Sequence, residues 1–197
     1  MTNTQVDETT LSPAATKVPG RALPFASAQF WVWPALRIAV GLVFLWTFLD
    51  KLLALGYSTG RNPETDVVDR FGPKAWIHGN SPTKGFLSQG TDSPFSSAYE
   101  SMAGVSIFDW LFMLGMGGVG VAVILGVATR IATISGVLLM LSLRLALLVP
   151  ETNPIVDQHV VYGLLLVGLA ALPAARRFSL ATWWDRLPIV QRFAFLR

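Results

Sequence analysis

Arg144 stands inside an apolar run, Ile131 to Val149, and the acidic residues that could neutralise it stand at the ends of other apolar runs. An arginine at mid-bilayer depth costs roughly 2.5 to 3.5 kcal/mol on insertion scales, so this position calls for a partner. Asp50 closes the first run, Asp109 opens the second, and Asp157 with His159 opens the fourth. An antiparallel arrangement brings all these ends to the side where Arg144 points. Pairing with Asp50, Asp109 or Asp157 is expected, and snorkelling of the long stem to the headgroups is the alternative. His159 and Tyr162 share a face if they lie on a helix. An imidazole beside a carboxylate is suited to moving protons near neutral pH; a capping or interfacial histidine is the plainer alternative. The candidate catalytic residues are therefore His159, Asp157, Arg144 and Tyr162. The candidate cofactor contacts are Asp50, Asp109 and Trp110.

The elements that must position these residues are the apolar runs themselves. With 52% hydrophobic and 14% charged residues, the chain departs from the soluble average of about 25% charged. Four runs approach the roughly 20 apolar residues that span 30 Å of hydrocarbon: Phe30 to Leu55, Ile107 to Val127, Ile131 to Val149, and His159 to Pro173. The last is short and must borrow Ile155 and Val156. The expected fold is an all-α membrane protein: a four-transmembrane-helix antiparallel bundle with an ordered outer loop between helices 1 and 2 and a C-terminal interfacial helix.

The net charge of +3 and pI near 9.6 are explained by membrane topology, and no nucleic-acid partner is expected. Lys17 and Arg21 precede the first run, Arg130 lies in the turn between the second and third, and Arg176, Arg177, Arg186, Arg192 and Arg197 follow the fourth. By the positive-inside rule both termini are cytoplasmic. The loop 56–106 contains Arg61, Arg70, Lys74 and Lys84, but long loops translocate largely regardless of charge. Trp31, Trp33, Trp110, Trp183 and Trp184 fall at run ends, where amphipathic rings prefer the headgroup level. Arg37 is expected to snorkel at the inner boundary and Lys51 at the outer one. The first run is too long and starts too late for a cleavable signal peptide. Zero cysteines exclude disulfides, thiolate nucleophiles and Cys-metal sites on this chain, and no haem or metal spacing is present.

Along the chain, residues 1–22 read as a disordered cytoplasmic tail, 23–175 as the membrane domain, and 176–197 as an interfacial segment in which Ser179 can cap a helix carrying Trp183 and Trp184. Pro34 is expected within the first turn of its helix, where a missing N–H is tolerated. In the outer loop, 66–71 suggests a short helix, 75–79 with 85–87 is apolar enough to cap the bundle, and 95–105 should lead as helix into the second span. His78 could approach the polar side. Gly115, Gly117, Gly118, Gly120 and Gly126 form a packing face where no hydrophobic drive exists between helices.

The stretch 120–140, with Leu125-Gly126-Val127-Ala128-Thr129-Arg130 joining the second and third runs, resembles the core signature of the DoxX/DoxD family of small membrane proteins. Arg37 to Lys51 resembles that family's first helix, Asn80-Ser-Pro-Thr-Lys-Gly-Phe-Leu87 its DoxD-like outer loop, and Arg177-Phe-Ser179-Leu180 its post-bundle segment. The resemblance implies a bacterial plasma (inner) membrane, multi-pass protein related to the membrane subunit of thiosulfate:quinone oxidoreductase. Quinone is then the expected cofactor, with no metal or haem. The expected partners are the lipid bilayer, a small sulfur oxyanion attracted by Arg144 or Lys84, and other membrane subunits or a second copy. The competing expectation is a non-catalytic accessory or scaffold subunit of a respiratory or redox complex.

Overall fold

The computed structural model describes residues 24–148, 153 and 155–196; the N-terminal tail expected over 1–22 lies outside them. Among the described residues the chain is helical, with one isolated antiparallel bridge between Arg61 and Val68. Four helices pack on one another: α1 (Pro24–Leu53), α4 (Ser106–Leu125), α5 (Thr129–Ala146) and α6 (Gln158–Ala171). Between α1 and α4 lie the short helices α2 (Lys84–Gln89) and α3 (Ser96–Met102). After α6 come α7 (Ala181–Trp184) and α8 (Pro188–Arg192). Three helices are long and apolar enough to cross a membrane: 30–53 within α1, and α4 and α5. Helix α6 is a shorter apolar helix of 14 residues.

Buried positions recur at helical spacing, with Pro34, Arg37, Gly41 and Phe44 on α1 and Asp109, Met113, Met116, Gly120 and Val123 on α4. The opposite faces expose Leu42, Leu114, Leu138 and Leu164. Such continuous apolar exposure is a liability in water and the normal surface of a helix in lipid. The chain is accordingly membrane-embedded. Where α1 crosses α4 the glycines have a specific role. A Cβ on Gly120 would lie 2.6 Å from the Leu45 amide nitrogen, and one on Gly41 3.0 Å from the Gly120 carbonyl oxygen, so the backbones meet at a distance only glycine permits. The turn between α4 and α5 closes with Gly126 and Ala128 both in the left-handed region, at φ 68° and 47°.

Several expectations change. Pro34 lies in the interior of α1 because that helix begins at Pro24. Helix α6 does not take in Ile155 and Val156: the Asp157 side chain accepts the Val160 amide at 3.1 Å and fixes the helix start at Gln158. The expected helix at 66–71 does not form: Val68 pairs with Arg61 in the isolated bridge and only 70–71 turn, because the Asn62 side chain accepts the Glu64 amide at 2.9 Å and Asp66 takes a left-handed conformation, the local competition that Asn and Asp offer to helix. Helix α3 does not run on into α4; Ala103 is extended and Gly104 has φ 78°. Trp183 and Trp184 do share α7, and the Ser179 hydroxyl accepts the Ala181 amide at 3.2 Å.

Two buried carboxylates fasten the 54–105 connection to the helix ends. Asp50, 1% exposed, accepts the amides of Tyr57 and Ser58 at 3.1 and 3.0 Å and the Ser58 hydroxyl at 2.6 Å. Asp109, 6% exposed, accepts the Ser81 hydroxyl at 2.8 Å and the Thr83 hydroxyl and amide at 2.6 and 3.2 Å. Hydrogen bonds to charged groups contribute about 1.5–3 kcal/mol each, enough to order a segment with little core of its own. A third attachment reaches α5, where Tyr99 donates to the Ser142 carbonyl at 2.8 Å and the Asp92 amide to that of Ala146 at 3.0 Å.

Candidate functional site

Helix α5 ends as α6 is about to begin, and both termini are finished by charge. Arg144 sits in the last turn of α5, with Nη1 donating to the carbonyls of Leu147 and Leu148 at 3.0 and 2.7 Å. A cation there complements the helix dipole, as the Asp157 carboxylate does at the first turn of α6. The two meet, Arg144 Nε lying 3.6 Å from Asp157 Oδ1 with both side chains largely buried. Asp157 Oδ2 lies 2.7 Å from His159 Nδ1. A chain of contacts thus runs from Arg144 through Asp157 to His159. With Nδ1 committed, Nε2 is the ring nitrogen left for other chemistry, and it has no hydrogen-bond partner among the described residues.

Beside His159 lies a cavity of about 670 Å³, within the 300–1,000 Å³ usual for small-molecule sites. Its walls come from α1, α4, α5 and α6, with residues of α2 and α3 also in the lining. The lining is chiefly apolar, with Phe44, Phe112, Met116, Met140 and Leu143 among its residues; His159, Tyr162, Gln158, Lys51 and Thr83 add polar groups. Tyr162 packs edge-on to Phe44 at 6.5 Å between ring centroids. Lys51 Nζ lies 5.9 Å from the Phe112 ring centroid.

The expected residues are therefore divided. Asp157, His159 and Arg144 come together, and His159 and Tyr162 face the cavity. Asp50 and Asp109 do not meet Arg144, because the loop amides and hydroxyls described above take up their oxygens. Trp110 is 53% exposed and stands edge-on to Trp76 at 4.7 Å, away from the cavity lining. His78 lies 3.1 Å from the Phe71 carbonyl through Nε2 and stays within its loop. Sequence reasoning missed Lys51, Gln158, the loop residue Thr83 and Tyr99 on α3. Lys51 was detectable in principle, since it follows Phe44 by seven residues and so falls on the same helical face.

The environment of Asp157 has a measurable consequence. Burial pushes its carboxyl upward, but hydrogen bonds from His159 and the Val160 amide, with the charges of His159 and Arg144, outweigh burial and hold it below the usual carboxylate range. A folded-state value below the unfolded one gives stability that is complete above the ordinary aspartate value of about 3.9 and is lost as pH falls through the depressed one. The thermal midpoint of the protein should thus exceed that of Asp157→Asn near pH 7, and the gap should close as pH drops below about 4. A gap that stays constant across this range would remove the ionised carboxylate from the account.

Comparison with protein-family models, curated proteins and solved structures gives no match.

Proposed function

We propose that the chain is a DoxX/DoxD-like integral membrane subunit that binds a quinone in the cavity beside His159 and takes part in quinone-linked oxidation of a small sulfur oxyanion. In this reading α1, α4, α5 and α6 form a four-helix antiparallel bundle in the bacterial plasma membrane, both termini are cytoplasmic, and the 54–105 connection covers the outer end. The observation that carries the proposal is one imidazole shared by an oriented carboxylate and a large apolar cavity.

The donor set suits a quinone. Two ring carbonyls call for hydrogen-bond donors within an otherwise apolar enclosure, and His159, Tyr162, Gln158 and Lys51 are the donors in the wall. A bound quinone supplies two-electron, two-proton redox chemistry. His159 holds or gives a proton at Nε2 while Asp157 accepts a hydrogen bond from Nδ1 and stabilises the imidazolium. Arg144 keeps Asp157 ionised and in place. Lys51, in the wall, and Lys84, on the exposed start of α2, provide positive charge toward an anionic electron donor.

Purification of the full-length chain from its native membrane, followed by solvent extraction, tests the proposal. Bound quinone, together with quinone-dependent oxidation of thiosulfate or sulfite, is the expected result. The accessory-subunit reading draws on Gly118, Gly163 and Gly168, where an added Cβ would meet nothing within 4 Å among the described residues, leaving small-residue surface for another helix. Co-purification with an oxidase complex whose turnover is unchanged by His159→Ala would favour it.

A further inference from the structure

A buried charge that the cavity does not use lies about 21 Å along α1 from Lys51, at 1.5 Å per residue. Arg37 does not snorkel; it is 4% exposed and turns inward. Its Nη2 donates to the Phe178 carbonyl at 3.0 Å, whereas Nε and Nη1 are buried with no hydrogen-bond partner among the described residues. Among the described residues no ion pair includes Arg37. A buried ionised group without compensation is strongly unfavourable, and the surroundings have been shaped to admit this one. Gly126 takes φ 68°, and a Cβ there would lie 2.3 Å from Arg37 Nη1.

Arg37 lines a small, chiefly apolar pocket of about 20 Å³ whose other polar residues are Thr129, Thr133 and Arg176. That is room for one water-sized species. Thr129 and Thr133 are four residues apart on one face of α5. The pocket also lies at the N-terminus of α5, an 18-residue helix whose N-cap, Ala128, offers no side-chain acceptor, so the positive end of its dipole points to the same place. Arg176 also borders the pocket, its own charge paired with Asp185 through Nη2. The buried Arg37 guanidinium, with two nitrogens unpartnered among the described residues, borders a space for one monatomic species, and a neutral water would leave its charge uncompensated.

We propose that this pocket binds a single halide, chloride in the cell, as counter-ion to Arg37. The ion accepts from Arg37 and from the threonine hydroxyls. It thereby stabilises the guanidinium that joins α1 to the Phe178 segment across the α4–α5 turn.

The test uses the full-length protein in detergent at constant ionic strength. Replacing sodium gluconate by sodium chloride or bromide should raise the thermal midpoint saturably, and equilibrium dialysis should retain labelled chloride. Thr133→Val and Thr129→Val remove a hydroxyl each while keeping side-chain size, and each should weaken chloride retention about tenfold, the loss of one hydrogen bond to an ion. Arg37→Gln, where it folds, should abolish retention. Equal midpoints in gluconate and chloride with no retained chloride would mean that water fills the pocket and would overturn the proposal. Retention unaffected by either threonine variant would overturn it too, by putting the halide elsewhere.

Discussion

Arg144→Leu should lower the unfolding stability by roughly 3 kcal/mol, the lower end of the cost of breaking a buried ion pair by removing one partner. The lower end applies because Asp157 keeps two hydrogen bonds, to His159 and to the Val160 amide. What it loses is the cation 3.6 Å away, and the carbonyls of Leu147 and Leu148 lose their charged donor. Combining the substitution with Asp157→Asn should recover part of the loss, because the carboxylate that the leucine leaves uncompensated is then gone. Unfolding in mixed micelles for the two single variants and the double variant measures the coupling. Full stability of Arg144→Leu would mean that the arginine is satisfied by lipid headgroups and that the pair contributes nothing.

His159→Ala should depress quinone turnover by the order of 10² to 10⁴, the usual contribution of a positioned acid-base group, with the amount of membrane-inserted protein near normal. Insertion is expected to survive because the Val160 amide that starts α6 is capped by Asp157 Oδ1, not by the imidazole. Asp157→Asn should have a smaller effect on turnover: the imidazole remains but loses the carboxylate on its Nδ1. Turnover should be followed at saturating electron donor, so that weakened capture of the anion is not read as slowed proton transfer. Unchanged turnover in the histidine variant would remove it from the mechanism.

Much of the helical framework was legible because apolar runs of membrane length have few alternatives once backbone groups must be satisfied within the segment. The pairing of Asp157 with His159 was legible for a local reason: a carboxylate at a helix start and a side chain two residues on are brought together by the cap itself. The partner of Arg144 was legible only as one of three. Asp50 and Asp109 stand at helix ends as readily as Asp157, and what commits them elsewhere are amides and hydroxyls presented by a loop whose path depends on its own turns. Ser81 and Thr83 are more than 25 residues from Asp109 in sequence, and no periodicity links them. Arg37 shows the same limit from the other direction. Its position near a run end fits snorkelling, and its inward turn depends on the space left by Gly126 and on the Phe178 carbonyl arriving from far along the chain.

Photolabelling with an azidoquinone reports where on the protein a quinone binds. The full-length protein in native-like lipid is illuminated with the probe, and modified peptides are mapped with and without excess unlabelled quinone. Label is expected on the cavity wall, on the segments carrying Phe112, Met140 and Tyr162, suppressed by competitor and reduced when Ala146, buried in that wall, is enlarged to Phe. Label confined to the lipid-facing side chains Leu114, Leu138 and Leu164, unaffected by competitor, would contradict binding in the cavity.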